Sequence, residues 1–469
     1  MSAPAAAASA ADASLPKRRR RAFAVVVFVV VLDLLGFGIV IPILPFYVRS
    51  FVANDVFIGL LAASYSLAQF ASAPYLGRLS DGYGRRPVIV LSLVGGAVAW
   101  TVFGVAGALW LVFLARIVAG AAGGNIATAQ AYVADITPPA DRAGALGVLG
   151  AAFSVGFIIG PALGGVLASP DVLAIARDVL PGFVPVTRFS MPSFGAAVLS
   201  LSGAAVAWRY LPDPASIYDD PDADDRDADD DAPADAAGPG AGAPDEPAPT
   251  TPPAPSTLVS QFRAALRSDA LRGLVVAFFL VNVAFSGVTV AFVPWLADVF
   301  EFAEPQAAAF LTYIGVLGVV VQGGLVPRVS RRIGDAKMAV VGLGVLSVGA
   351  AVLPFTPDVG ALAGVAVGGF APGVVALVVL LPLIPLGNGL LSAALGALVS
   401  TSASAREQGS AFGVTQGAGS LGRTVGPPVM AGLYEFGARW SPFVAGAVLL
   451  VPALVVVARR RPGTVASSS

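Results

Sequence analysis

Few residues in this chain could do chemistry, and their types narrow what that chemistry could be. Its 469 residues include no cysteine and no histidine. Thiol chemistry, disulfides and cysteine-based metal sites are therefore excluded. The usual proton shuttle and the usual transition-metal ligand are missing too. Any proton traffic has to run through carboxylates. One carboxylate stands out: Asp33 lies inside an otherwise apolar run, with Gly36 and Gly38 close by. Two bases, Arg116 and Arg423, sit in similar runs, as do the amides Asn125, Gln130, Asn282, Gln322, Asn388 and Gln416. Ionisable groups in such surroundings are costly and mark function by default. Asp33 could exchange a proton or act as counter-charge to a cation; the alternative is an aspartate that only bonds neighbouring helices. Arg116 could serve proton coupling or anchor a helix to backbone carbonyls. Arg423 could bind an anionic group or pair across the molecule. The amides could line a cavity or merely bond between helices, and Asn125 with Asn282 is the preferred substrate-facing pair.

The elements that must hold these residues are membrane spans. The chain is 56% hydrophobic and 12% charged, about half the charge of a soluble protein. Apolar runs of spanning length recur along it. The expected spans are 22–47, 57–77, 88–106, 109–132, 143–168 and 188–209, then 271–297, 307–327, 338–355, 371–398, 409–434 and 438–458. The fold class is thus an all-α membrane protein of twelve helices. The expected units are a basic, disordered segment 1–21, a six-helix bundle 22–210, a linker 211–257, a second bundle 258–458 and a tail 459–469. Thirteen of the 29 acids fall between Asp213 and Glu246, so the linker reads as solvated and flexible. Lysine occurs only at Lys17 and Lys337. Together with the acidic linker, this suggests a high-salt, halophilic archaeon-like source. With both termini in the cytoplasm, 22 of the 28 Lys and Arg face inward and four face outward, as the positive-inside rule requires.

The two bundles repeat each other. Gly77-Arg78-Leu79-Ser80 aligns with Pro327-Arg328-Val329-Ser330 at an offset of 250, and Gly84 with Gly334. Gly156 and Gly160-Pro161 align with Gly422 and Gly426-Pro427 at an offset of 266. The difference puts an insertion near 356–372. Parallel repeats of six helices form a transporter architecture with a central site.

Four stretches resemble motifs of the major facilitator superfamily, and within it of the drug:proton antiporters, tetracycline-resistance-type exporters included. They are Leu32–Pro45 in the first helix, Gly77–Pro87 between the second and third, Arg116 with Gly120 and Gly124 in the fourth, and Gly156–Gly165 in the fifth. The resemblance covers nearly the whole chain apart from tails and linker. It implies a secondary transporter that exports a small, partly apolar compound in exchange for protons, with sodium as the other candidate ion. A uniporter, a symporter for a sugar or metabolite, and a non-transporting receptor or scaffold are the alternatives. It implies proton coupling at Asp33 and Arg116. It implies gating by Gly77, Asp81, Gly84, Arg85, Arg86 and Asp135 and by the seam Gly156, Gly160, Pro161, Gly164 and Gly165. Asp81 is further expected to cap a helix start, and Arg85 or Arg86 to pair with Asp135. Tetracycline exporters carry acids in the third and ninth helices, where Ala99 and Leu346 stand here. No enzyme activity, cofactor, metal or nucleic acid is expected; the partners are a small-molecule substrate and the lipid bilayer, for a monomer in the plasma membrane.

Overall fold

The computed structural model describes residues 17–123, 125–138, 142–213, 267, 269–402 and 408–459. The linker beyond Asp213, residues 1–16 and residues 460–469 lie outside the described residues; Lys17 to Arg21, expected to be disordered, form the first turns of the first helix. The first half contains α1 (Lys17–Val40), α2 (Leu44–Arg49), α3 (Val56–Tyr83), α4 (Arg85–Gly104), α5 (Leu109–Ala122), α6 (Asn125–Ile136), α7 (Arg142–Leu167), α8 (Pro170–Val179) and α9 (Ser190–Tyr210). The second contains α10 (Asp269–Phe300), α11 (Glu304–Val320), a π-helical turn (Val321–Leu325), α12 (Val326–Ile333), α13 (Asp335–Val352), α14 (Thr356–Ala363), α15 (Pro372–Leu380), α16 (Leu383–Thr401), α17 (Gln408–Phe436) and α18 (Ser441–Ala458). Among the described residues, eleven helical stretches are long and apolar enough to cross a membrane. The twelfth, α17, is long enough at 29 residues but carries too many polar groups to be counted with them. It is the helix of Gln416, Ser420 and Arg423.

Packing repeats between the halves as the sequence does. In the first half α1 packs on α7 and α9; in the second α10 packs on α17 and α18. The α4–α9 contact has its counterpart in α13–α18. The two most extensive contacts between the halves are α3 with α17 and α7 with α11, and exchanging the halves turns one into the other; α10 also touches α2 and α3. Residues 356–371, where the offsets place the insertion, form α14 and a turn with Gly364, Gly368 and Gly369 at positive φ.

The helix-to-helix contacts depend on missing side chains. A Cβ on Gly160 would lie 2.6 Å from the Gly38 Cα, and one on Gly164 would overlap the Ile39 carbonyl oxygen. The fifth-helix motif is therefore a packing seam against α1, and Pro161 sits within α7 without ending it. Gly165 differs: it faces Ala308 of the second half, 2.9 Å from its Cβ position.

The charged stretch Gly77–Pro87 corrects two expectations. It is not a Gly-rich loop, because α3 runs through Tyr83 and α4 starts at Arg85. Gly77 and Gly82 are helical with open space around them, and only Gly84 takes a positive φ, +91°. Asp81 consequently lies in the last turns of α3 and caps no helix start; the residue before α4 is Gly84. A helix tolerates a glycine at a cost of about 1 kcal/mol, which apolar packing along the rest of α3 offsets.

Candidate functional site

Where the halves meet, their facing helices enclose a cavity of about 700 Å³. Asp33 and Phe37 enter it from α1, Tyr65 and Gln69 from α3, Arg116 from α5 and Gln130 from α6. The second half contributes Ser286 and Thr289 of α10 with Gln416, Ser420 and Arg423 of α17. All three charged residues singled out in the sequence thus face one space. Tyr65 lies within electrostatic reach of Asp33, Arg116 and Arg423 together.

Arg116 is 6% exposed, and among the described residues no acid pairs with it. Its guanidinium carbon stands 4.6 Å from the centre of the Tyr65 ring, 5.8 Å from Phe37 and 5.9 Å from Trp100. A desolvated cation gains about 2 kcal/mol or more from such a ring face. The rings hold the charge but accept little from its N–H groups, and Nε has no hydrogen-bond partner. Arg423 is exposed to the cavity. It donates from Nη1 to Asn282 Oδ1 at 3.0 Å and from Nη2 to Ser420 Oγ at 2.9 Å.

Of the six amides, Gln130 and Gln416 line the cavity. Asn282 does not. Its carbonyl oxygen is taken by Arg423, and its Nδ2 donates to the Phe278 carbonyl at 2.8 Å; it orients an arginine where substrate contact was expected. Gln322 falls in the π-helical turn and Asn388 in α16, both away from the cavity lining. The Asn125 side chain lies outside the described residues.

On the rim that carries the termini, Arg85 binds Asp81 (2.5 Å), Asp135 (3.0 Å) and Ser80 (2.7 Å). The expected arginine–Asp135 pair is thus made by Arg85. Arg86 turns to α9, where it donates to the Trp208 carbonyl and covers the Trp208 ring at 5.2 Å. A Cβ on Gly84 would meet the Asp213 carboxylate at 2.5 Å. These bonds tie α3, α4, α6 and α9 to one another within the first half. Among the described residues, Asp81 bonds Arg85 alone and reaches nothing in the second half.

The opposite rim is where the halves are locked, by residues that no motif marks. Arg49 binds Asp55 of its own half at 2.5 and 2.8 Å and Asp298 of the other at 2.8 and 2.9 Å. Tyr434 donates to Asp298 at 2.8 Å, and the Asp55 N–H donates to Glu435 at 2.9 Å. Burial works against the Arg49 charge, but bonds and attraction to Asp55 and Asp298 outweigh it and hold that guanidinium above the ordinary arginine range. Beside this cluster, Arg188 approaches Glu304 to 3.2 Å without hydrogen-bond alignment. In sequence, the one usable signal was acids and bases just beyond span ends that the topology brings to one level.

Comparison with known proteins agrees with this geometry. The chain is 43% identical over 158 residues to the class C tetracycline resistance protein of Escherichia coli, a match spanning 33% of this chain and 40% of that one. It is 26% identical over 421 residues to multidrug resistance protein 2 of Bacillus subtilis strain 168, spanning 89% and 90%. The crystal structure of a bacterial homologue of the human lysosomal transporter Spinster, inward-facing and unoccupied, shares the fold with a TM-score of 0.69 at 14% identity, covering 96% of this chain and all of that one. The sequence pattern of the Major Facilitator Superfamily matches residues 26–382. This chain, with twelve helices in two six-helix repeats around a central cavity, belongs to the Major Facilitator Superfamily of membrane transporters.

Proposed function

We propose that this transporter exports a small, partly apolar organic compound by alternating access and takes protons in exchange. The observation that carries the reading is Asp33, a carboxylate on α1 facing a cavity that both halves line. In this cycle Asp33 receives a proton from outside, the halves rock, and the proton leaves to the cytoplasm as substrate loads. Both termini would be cytoplasmic in a monomer of the plasma membrane. The sealed rim around Arg49 is then the outer one, and the conformation described here is open toward the cytoplasm. In the outward-open form the segment from Gly77 to Pro87 would meet the second half and gate the inner side.

The similarity to proteins named for tetracycline and multidrug resistance supports export of a drug-like compound. Tetracycline itself is disfavoured, since buried Ala99 and Leu346 replace the acids of those exporters. A ligand found by thermal-stabilisation screening can be followed into vesicles carrying an imposed pH gradient. Asp33→Asn is expected to abolish gradient-driven flux while the ligand still stabilises the protein; full pH-driven flux in that variant would sink the exchange reading.

One observation favours a second reading, uniport or symport. The cavity holds two guanidinium groups against one carboxylate. Protonating Asp33 would then strengthen its hold on an anion, so that proton and anion share the cavity.

A further inference from the structure

We infer that the compound carried by this transporter bears an anionic group of the carboxylate class, held between Arg116 of the first half and Arg423 of the second, with its apolar body on the ring wall around them. The inference rests on the cavity being the transport site, and its proton linkage is that of the second reading, in which proton and anion travel together.

Three features point the same way. Arg116 is more than nine-tenths buried, faces the cavity, has no acidic partner among the described residues, and keeps Nε without an acceptor there. A buried donor without a partner is costly, and a planar guanidinium suits two-point recognition of a carboxylate. Arg423 reaches the same cavity from the opposite half and is held in place by Asn282 and Ser420, so little side-chain freedom remains to be lost on binding. The third feature is the sum of charges. The charged groups facing Asp33 across the cavity are Arg116 from α5 and Arg423 from α17, with the Tyr65 hydroxyl from α3 beside them. With Asp33 ionised the cavity carries a net positive charge, and with Asp33 protonated it carries two. A cation would have Asp33 alone, against two guanidinium groups that repel it across the cavity. Phe37, Phe70, Trp100 and Phe157 supply the wall for the apolar part.

Because the two arginines belong to different halves, the anion binds both at once only while both line the cavity, so occupancy and the approach of the halves are coupled. The sign of proton linkage also follows. Protonating Asp33 removes the only charge that repels an anion, so anion binding tightens as pH falls, whereas a cation seated on Asp33 would weaken.

The test uses two matched series on the full-length protein in detergent, aryl carboxylates and aryl methylammonium ions of one to three fused rings, read by thermal shift and calorimetry at several pH values. The expected result is binding in the carboxylate series, tighter at lower pH. Arg423→Gln should weaken it roughly 10- to 100-fold, the worth of one charge-assisted bond. Arg116→Gln should do the same, and Arg116→Lys, which keeps the buried charge, guards against loss through misfolding. Binding confined to the ammonium series, carboxylate binding that survives Arg423→Gln and Arg116→Gln unchanged, or no binding in either series would each overturn the inference. Binding of carboxylates without flux in vesicles would leave the anion site standing and overturn the transport reading.

Discussion

The lock around Arg49 should set the balance between the two faces of the transporter, and Asp298→Asn is the cleanest way to loosen it. Arg49 and Asp55 belong to the same half, so their pair survives a rocking of the halves. The bonds from Arg49 to Asp298, at 2.8 and 2.9 Å, cross between halves and must break in every cycle. Asp55 stays with Arg49 throughout, which spares the guanidinium from being left without a partner when the rim opens. The side chains are 25% exposed at Arg49 and 23% at Asp298. The crossing pair therefore falls between exposed pairs, worth up to about 1 kcal/mol, and buried ones, whose breaking costs about 3–5 kcal/mol. About 2 kcal/mol is a fair middle, a shift of ~30-fold toward the open rim. The chain contains no cysteine, so spin labels can be placed at Ala53→Cys and Phe436→Cys without background; both positions are exposed, one on each half of the rim. Pulsed dipolar distances in nanodiscs should show a population at longer separation that grows in Asp298→Asn. Asp55→Asn should act differently, since it weakens a pair made in both states. If the distance distribution of Asp298→Asn matches that of the unmodified protein, the crossing pair does not hold the rim closed and the reasoning fails.

Two further outcomes are expected. Gly160→Leu would push a side chain into the Gly38 backbone; overpacking of this kind costs about 1–3 kcal/mol, so a lower melting temperature and poor recovery from the membrane should follow, and an unchanged melting curve would show that the α1–α7 seam is not close-packed. Asp81→Ala leaves Arg85 its bonds to Asp135 and Ser80; it should slow turnover in vesicles while equilibrium ligand binding stays nearly intact, and a large loss of affinity would mean that this segment acts on the cavity directly.

Much of the fold is legible along the chain because lipid imposes length. A span needs about 20 apolar residues, and most spans announce themselves that way. The turn at Gly84 is legible as well, since a glycine can take the positive φ found there without steric cost. Gly77 and Gly82 mislead, because the same residue type breaks one helix and is tolerated in another; what decides is how much apolar packing the rest of α3 supplies, and that is not a local property. The cavity charges Asp33, Arg116 and Arg423 stand out because each interrupts an apolar run. Their surroundings do not. The aromatic cage of Arg116 draws on α1, α3 and α4, and the partner of Arg49 is 249 residues away. Contacts of that separation follow from topology alone, and Asn282 shows the limit: its position in a span is plain, while its turn toward Arg423 depends on which face of α10 meets α17.

The repeats are twins in packing and not in charge, and the difference lies at one level of the fold. Gly156 of α7 meets α1 at Leu34, next to Asp33; its equivalent, Gly422 of α17, meets α10 at Asn282. The amide thus stands level with Leu34, one residue beyond the acid, and the second half has Val281 where the first has Asp33. The residue after each glycine is Phe157 in one half and Arg423 in the other, and both line the cavity. The acid and the ring thus come from one repeat, the amide and the base from its counterpart, while the helices that carry them cross in the same way. A symmetric cavity would admit a substrate in either direction. This one places Phe157 where its counterpart has Arg423, so a singly charged anion of the class proposed above finds both bases only at the meeting point of Arg116 and Arg423. Exchanging Phe157→Arg with Arg423→Phe moves both bases into the first half and should weaken carboxylate binding; unchanged affinity in that double variant would refute the two-sided grip.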